Sequence, residues 1–208
     1  MPVTFVKVCG ITREADALAA ARLGATALGF VFWQQSPRRI TPTRAGAIVR
    51  QLPPGIDAVG VFVNQGVDEI ANAVAEAHLT TVQLHGDESA AFAETVTQPV
   101  LKAASLAGVD SVLDEWPEDV VLLLDAHDPV ARGGTGRTID WRHAADIAAR
   151  RRVVLAGGLT PGNVREAIEV VRPFGVDVSS GVEAAPGMKD LDKMQMFLEQ
   201  VKVAADGR

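Results

Sequence analysis

The chain has 208 residues, 48% of them hydrophobic and 22% charged, which is enough to bury a sizeable core as one globular domain spanning residues 1–208. Its 26 acidic against 20 basic residues leave a formal charge of -6, so no basic face is expected for nucleic acid. A single cysteine closes no intramolecular disulfide and assembles no four-sulfur metal site, and no apolar stretch reaches the roughly 18 residues of a membrane span, so a cytoplasmic protein without membrane contact is expected.

Short β-branched runs begin near Thr4, Ala27, Ala58, Thr81, Val100, Val120, Val153 and Val176, each followed by an alanine-rich helical stretch. The shortest interval, Thr81 to Val100, is 19 residues and the longest, Val120 to Val153, is 33. In the first unit Thr12 is expected to cap a helix over Ala15 to Leu23 that Gly24 stops. The second unit carries extra residues from Trp33 to Thr41. In the third and sixth, Ala58 to Val63 and Val120 to Leu124 are apolar continuously rather than alternately, the mark of parallel strands buried on both faces. The sixth unit is also lengthened, from Ala126 to Asp140. Its Gly133-Gly134-Thr135-Gly136-Arg137-Thr138 run lacks the lysine and glycine spacing of a phosphate-binding P-loop, so a flexible lid is expected there. In the seventh, Thr160 and Pro161 read as an N-cap and a first-turn proline, and the tail from Val201 to Arg208 is expected to fray. Eight regular βα units without a polar edge strand predict an α/β fold, a single (β/α)8 TIM barrel.

Barrel enzymes build their sites at the carboxyl ends of the strands, so the first residues after each strand are the candidates. Cys9 after strand 1 reads as a thiolate base, if a helix starting near Thr12 and a phosphate-site field lower its pKa, or equally as a small buried hydrophobe. Asp125 ends a run of apolar residues, so its carboxyl group is expected to be partly desolvated and suited to acid chemistry; the alternative is a turn cap. Arg38 and Arg39 offer a guanidinium fork for a carboxylate, with at least one of the two a solvated surface cation. His85 and Asp177 read as pocket-lining groups or as satisfied structural residues. Gly157, Gly158, Ser180 and Gly181, on adjacent strands 7 and 8 and each expected to precede a helix N-terminus, form a candidate phosphate cradle of backbone N–H groups without any lysine. No carboxylate cluster or helical histidine pair argues for a metal.

Along nearly its whole length the chain resembles the phosphoribosylanthranilate isomerase family of tryptophan biosynthesis. The segments are Val6-Lys7-Val8-Cys9-Gly10-Ile11-Thr12, Gly29-Phe30-Val31-Phe32 with Ser36-Pro37-Arg38, Gly60-Val61-Phe62-Val63-Asn64, and Gln83-Leu84-His85-Gly86. They continue with Gly133-Gly134-Thr135-Gly136 before Asp140-Trp141, Gly157-Gly158-Leu159, Asp177-Val178-Ser179-Ser180-Gly181-Val182-Glu183 and Pro186-Gly187-Met188-Lys189-Asp190. The resemblance implies an Amadori rearrangement of N-(5-phosphoribosyl)anthranilate without metal or organic cofactor, a small phosphosugar as the only partner, and a homo-oligomer left open. It implies Cys9 as general base, Asp125 as general acid and Arg38 as the anthranilate-carboxylate fork, although Arg39 stands where the family often has an aromatic residue. A histidine-pathway aminoaldose isomerase would share the barrel but ordinarily carries an aspartate in place of Cys9. A non-catalytic phosphate-binding barrel is the alternative from another class, and intact Cys9 and Asp125 speak against it.

Overall fold

The computed structural model describes residues 3–125 and 141–206. Eight parallel strands close into a barrel in sequence order: β1 (Phe5–Cys9), β2 (Ala27–Val31), β3 (Asp57–Phe62), β4 (Thr81–Leu84), β5 (Val100–Ser105), β6 (Val121–Asp125), β7 (Val153–Ala156) and β8 (Gly175–Val178). The helices are α1 (Glu14–Leu23), α2 (Pro42–Val49), α3 (Val67–Ala77), α4 (Ala90–Ala93), α5 (Val109–Glu115), α6 (Trp141–Ala148), α7 (Val164–Val171) and α8 (Leu191–Asp206). This is the (β/α)8 TIM barrel expected. The lid expected at Gly133 to Thr138 lies outside the described residues.

Side chains of a strand alternate between faces, and that alternation divides the core. Leu122, Leu124, Val153 and Leu155 pack outward among the helix side chains of the main cluster. Leu101, Ala103, Leu123, Val154 and Ala156 form a separate cluster inside the barrel. Cys9, Val31 and Val61 form another nearer the strands' carboxyl ends. On β1, Val6 and Val8 belong to the outer layer, so Lys7 and Cys9 share the inner one. The register of β1 against β8 sets Lys7 beside Asp177.

Four local expectations are corrected. Arg13, not Thr12, is the N-cap of α1. Its guanidinium binds Asp16 at 2.7 and 2.9 Å, and the Thr12 hydroxyl instead donates to the Gly187 carbonyl. Thr160 and Pro161 open a turn rather than a helix: Asn163 is the N-cap of α7, and its side-chain oxygen accepts from the Thr160 N–H at 2.8 Å. After β8, Gly181 lies within a short 3-10 turn, Ser180–Val182, rather than before a helix, and an unexpected two-stranded hairpin follows, β9 (Glu183–Ala185) with β10 (Met188–Lys189). The tail does not fray at Val201, because α8 runs to Asp206 and buries Val201 and Ala204.

Candidate active site

One cleft of about 480 Å³ opens at the carboxyl ends of the strands, and it is lined by every residue singled out above except Arg39: Cys9, Arg38, His85, Asp125, Asp177, Gly157, Gly158, Ser180 and Gly181. Each arrives by its strand. Cys9 and Asp125 are the last residues of β1 and β6, Asp177 lies within β8, and His85 follows β4 directly. Loop 2 brings Arg38 by two successive turns, closed by Ser36 N–H to Trp33 O and Arg39 N–H to Ser36 O. These return the chain to β2, where Arg39 bridges Val31. Adjacent residues on such a bridge face opposite ways. Arg38 therefore enters the cleft, while Arg39 is exposed, donates to the Gln34 carbonyl and faces a second depression of about 720 Å³ between α2 and α3. That larger hollow holds none of the other candidates.

The charges in the cleft are paired. Glu183, at the start of the hairpin, accepts from Arg38 Nε at 2.8 Å and Nη2 at 2.6 Å, from Lys189 Nζ at 2.9 Å and from the Gly187 N–H at 3.2 Å. Burial alone would raise the Glu183 carboxyl, but Arg38 and Lys189 outweigh it and hold its pKa below the usual carboxylate value. Lys189 is fully buried and spends its other donors on the carbonyls of Cys9 and Ser179. Burial pushes its pKa down. Arg38 is thus a fork already held on one side rather than the free guanidinium expected from the sequence. Asp177 is likewise engaged, its Oδ1 3.0 Å from the Nζ of fully buried Lys7.

Cys9 is 8% exposed. The expectation of a lowered thiol pKa is corrected: burial raises it, against the opposing charges of Lys7 and, more weakly, Lys189. The helix invoked for that lowering begins beyond Arg13. His85 is open to the cleft, its Nδ1 2.7 Å from the Gln83 amide nitrogen. Its surroundings of protein and the Lys7 charge lower its pKa, so the ring is neutral near pH 7. Asp125 is half-buried, the partial desolvation expected.

The glycine segments meet the requirements of an anion cradle. Gly157 and Gly158 take φ of 83° and 69°, a region that penalises any Cβ. Among the described residues the N–H groups of Gly157, Gly158, Ser180 and Gly181 have no protein acceptor. Gly157 and Gly181 are half-buried, where N–H groups are normally paired, and Gly158 and Ser180 are exposed beside them, so the four along a single rim are suited to an anion. The helix N-termini expected to assist are absent at this position, since α7 starts only at Val164 and loop 8 enters a 3-10 turn. Gly181 has a second reason to be glycine, because a Cβ there would overlap the Leu159 carbonyl oxygen.

Sequence reasoning passed over Lys7, Glu183 and Lys189. The signal for Lys7 was present: a lysine inside an apolar strand, two residues from Cys9 and so on the same face. Glu183 and Lys189 gave none, because their roles arise from a hairpin folding back over loop 2.

A family model described as N-(5'phosphoribosyl)anthranilate (PRA) isomerase matches residues 6–200. A curated relative, the N-(5'-phosphoribosyl)anthranilate isomerase of Pelobacter propionicus, is 50% identical over 198 residues, covering 95% of each chain. Among solved structures, phosphoribosyl anthranilate isomerase from Thermotoga maritima superimposes with a TM-score of 0.89 at 43% identity, over 96% of this chain and 99% of that one. A further isomerase structure, in complex with reduced 1-(o-carboxyphenylamino)-1-deoxyribulose 5-phosphate, matches with a TM-score of 0.86 at 41% identity over 96% and 99% of the two chains.

Proposed function

Because this chain belongs to the N-(5'-phosphoribosyl)anthranilate isomerase family, it isomerises that aminoaldose in tryptophan biosynthesis, and we propose how its cleft divides the work. The reaction opens the ribose ring and moves a proton from C2, giving 1-(2-carboxyphenylamino)-1-deoxyribulose 5-phosphate. Asp125 gives a proton to the ring oxygen as the C1–O bond breaks and the nitrogen lone pair forms the iminium. Cys9, as thiolate, takes the C2 proton; the C–H electron pair forms C1=C2 and neutralises the iminium nitrogen. The resulting enolamine ketonises to product.

Binding is divided similarly. The N–H groups of Gly157, Gly158, Ser180 and Gly181 take the phosphate, the remaining donors of Arg38 face the anthranilate carboxylate, and His85 and Asp177 face the sugar. Anchoring the substrate at both ends places the ribose between β1 and β6, where acid and base approach it from opposite sides. No cofactor is required by these steps, and a cytoplasmic location belongs to the same proposal. Among the described residues no helix is long and apolar enough to cross a membrane.

The observation that carries this reading is the convergence of one thiol, one half-buried carboxyl and four unpaired N–H groups on a single cleft. Cys9→Ser and Asp125→Asn test it. Each should cut turnover by about 100-fold to 10,000-fold with product affinity retained, and near-wild-type turnover in either variant removes that residue from the mechanism.

A further inference from the structure

Lys7 heads the large side chains that are fully buried, and its Nζ is 3.0 Å from Asp177 Oδ1. A cation inside a barrel is costly: the effective desolvation penalty is several kcal/mol per ion, and an apolar residue fills such space without it. The position of this pair is specific. On β1 the inner face carries Lys7 and then Cys9, two residues apart. Opposite them β2 presents Gly29, where a Cβ would come within 2.7 Å of Cys9 Sγ and 3.1 Å of Lys7 Cε. The missing side chain at Gly29 gives the thiol and the lysine stem one shared space.

The other charged groups around Cys9 are committed elsewhere or lie farther off. From β10, Lys189 Nζ donates to the Cys9 backbone carbonyl and to Glu183. From loop 2, Arg38 is held by Glu183. His85 at the end of β4 is neutral near pH 7, and Asp125 at the end of β6 faces the cleft from the opposite part of the barrel. From β8, Asp177 is held by Lys7 itself. Lys7 is accordingly the strongest influence opposing the effect of burial on the thiol, and Asp177 acts in the other direction.

We propose that Lys7 is a positioning residue for the isomerisation: its buried ammonium, fixed by Asp177, stabilises the thiolate form of Cys9 that removes the C2 proton. The inference rests on the reading of Cys9 as the base. The reacting pair is thiolate and ammonium. When the C2 proton passes to sulfur the thiol is neutral, and Lys7 keeps all three of its protons, so its contribution is electrostatic throughout.

The sequence supplies an unusually clean assay, because the chain has one cysteine and no tyrosine. Ultraviolet thiolate absorbance therefore reports Cys9 alone, without phenolate overlap, and iodoacetamide alkylation against pH gives the same titration independently. Substrate-free Lys7→Met should shift the Cys9 titration alkaline by about one pH unit or more, a tenfold smaller thiolate fraction below it. Asp177→Asn should shift it the opposite way. The double variant Lys7→Met/Asp177→Asn leaves no unpaired buried charge, so it keeps the test available if Lys7→Met fails to fold, and it too should titrate alkaline of wild type. The ascending limb of kcat/KM against pH should follow the titration in each. A wild-type titration in Lys7→Met or in the double variant, or shifts of Lys7→Met and Asp177→Asn in the same direction, would overturn the proposal. The underlying reading fails separately, through high turnover in Cys9→Ser, an outcome the thiol titration does not share.

Discussion

Glu183→Gln is the sharpest perturbation of the network that holds the cleft. Its carboxylate is 5% exposed, Lys189 is 0% exposed and Arg38 is 23% exposed. Removing one partner of a buried ion pair leaves the other charge uncompensated, at about 3–5 kcal/mol. Glutamine keeps the shape and one acceptor, and water can reach Arg38, so the lower end, about 3 kcal/mol, is expected. For a chain of this length each kcal/mol moves the midpoint by about 2–4 °C, which puts the fall in Tm at about 6–12 °C. The pH dependence follows from the depressed Glu183 pKa. A carboxyl whose folded pKa is below its unfolded value contributes its full stability above the unfolded value, and that contribution disappears as pH falls through the folded one. Wild type and Glu183→Gln should therefore differ at pH 7 and converge below about pH 4. Arg38 also loses the contacts that orient it, so KM for the anthranilate substrate should rise more than kcat falls. Thermal unfolding at both pH values and steady-state kinetics at neutrality decide it. A Tm within about 2 °C of wild type at pH 7, together with an unchanged KM, would refute the account of Glu183 as the clasp between loop 2 and the hairpin.

Other perturbations separate the remaining assignments. Arg38→Ala should weaken anthranilate-bearing ligands far more than a plain pentose phosphate, while Arg39→Ala should behave as wild type; a selective loss in Arg39→Ala alone would reverse the two roles. Gly158→Val should lower phosphate affinity by about tenfold or more, because the φ of 69° is strained for valine and the side chain obstructs the approach, whereas undiminished binding by calorimetry would place the anion elsewhere. Gly181→Val should instead destabilise the whole fold, since its Cβ overlaps the Leu159 carbonyl oxygen; a stable variant would show that loop 8 shifts freely over loop 7. Turnover against pH should be bell-shaped, set by a base that must lose its proton and an acid that must keep one, and a flat profile with chemistry rate-limiting would count against the pair.

The barrel was legible because its strands carry the signal at every position. Continuous apolar runs such as Val121 to Leu124, short and set at regular intervals, fit a sheet covered on both faces, and their expected starts fall within one residue of those observed. The candidate site was legible for the same reason, since the carboxyl ends of the strands fix where chemistry is placed. The helix starts were not. Thr12 and Thr160 both have the right side chain for a cap, but the Thr12 hydroxyl is taken by the Gly187 carbonyl of the hairpin, and Asn163 is the N-cap of α7 and accepts from the Thr160 backbone N–H. The β9–β10 hairpin, strands of three and two residues, was too short to leave any periodic trace.

That hairpin is the part of the cleft the sequence hid, and it changes how the charges are understood. The chain carries a formal charge of -6, yet the proposed ligand is itself an anion with a phosphate and a carboxylate, so long-range attraction cannot gather it. The local cations must act at contact distance, and the resting enzyme must hold them ready without leaving them buried and unpaired. Glu183 and Asp177 perform that service: one carboxylate clasps Arg38 and Lys189, the other clasps Lys7. Of the three cations only Arg38 lines the cleft and directs its remaining donors there, while Lys7 and Lys189 stay buried behind it. The rim proposed to bind the phosphate avoids the problem altogether by using backbone N–H groups, which carry only partial charge and need no counterion when the cleft is empty.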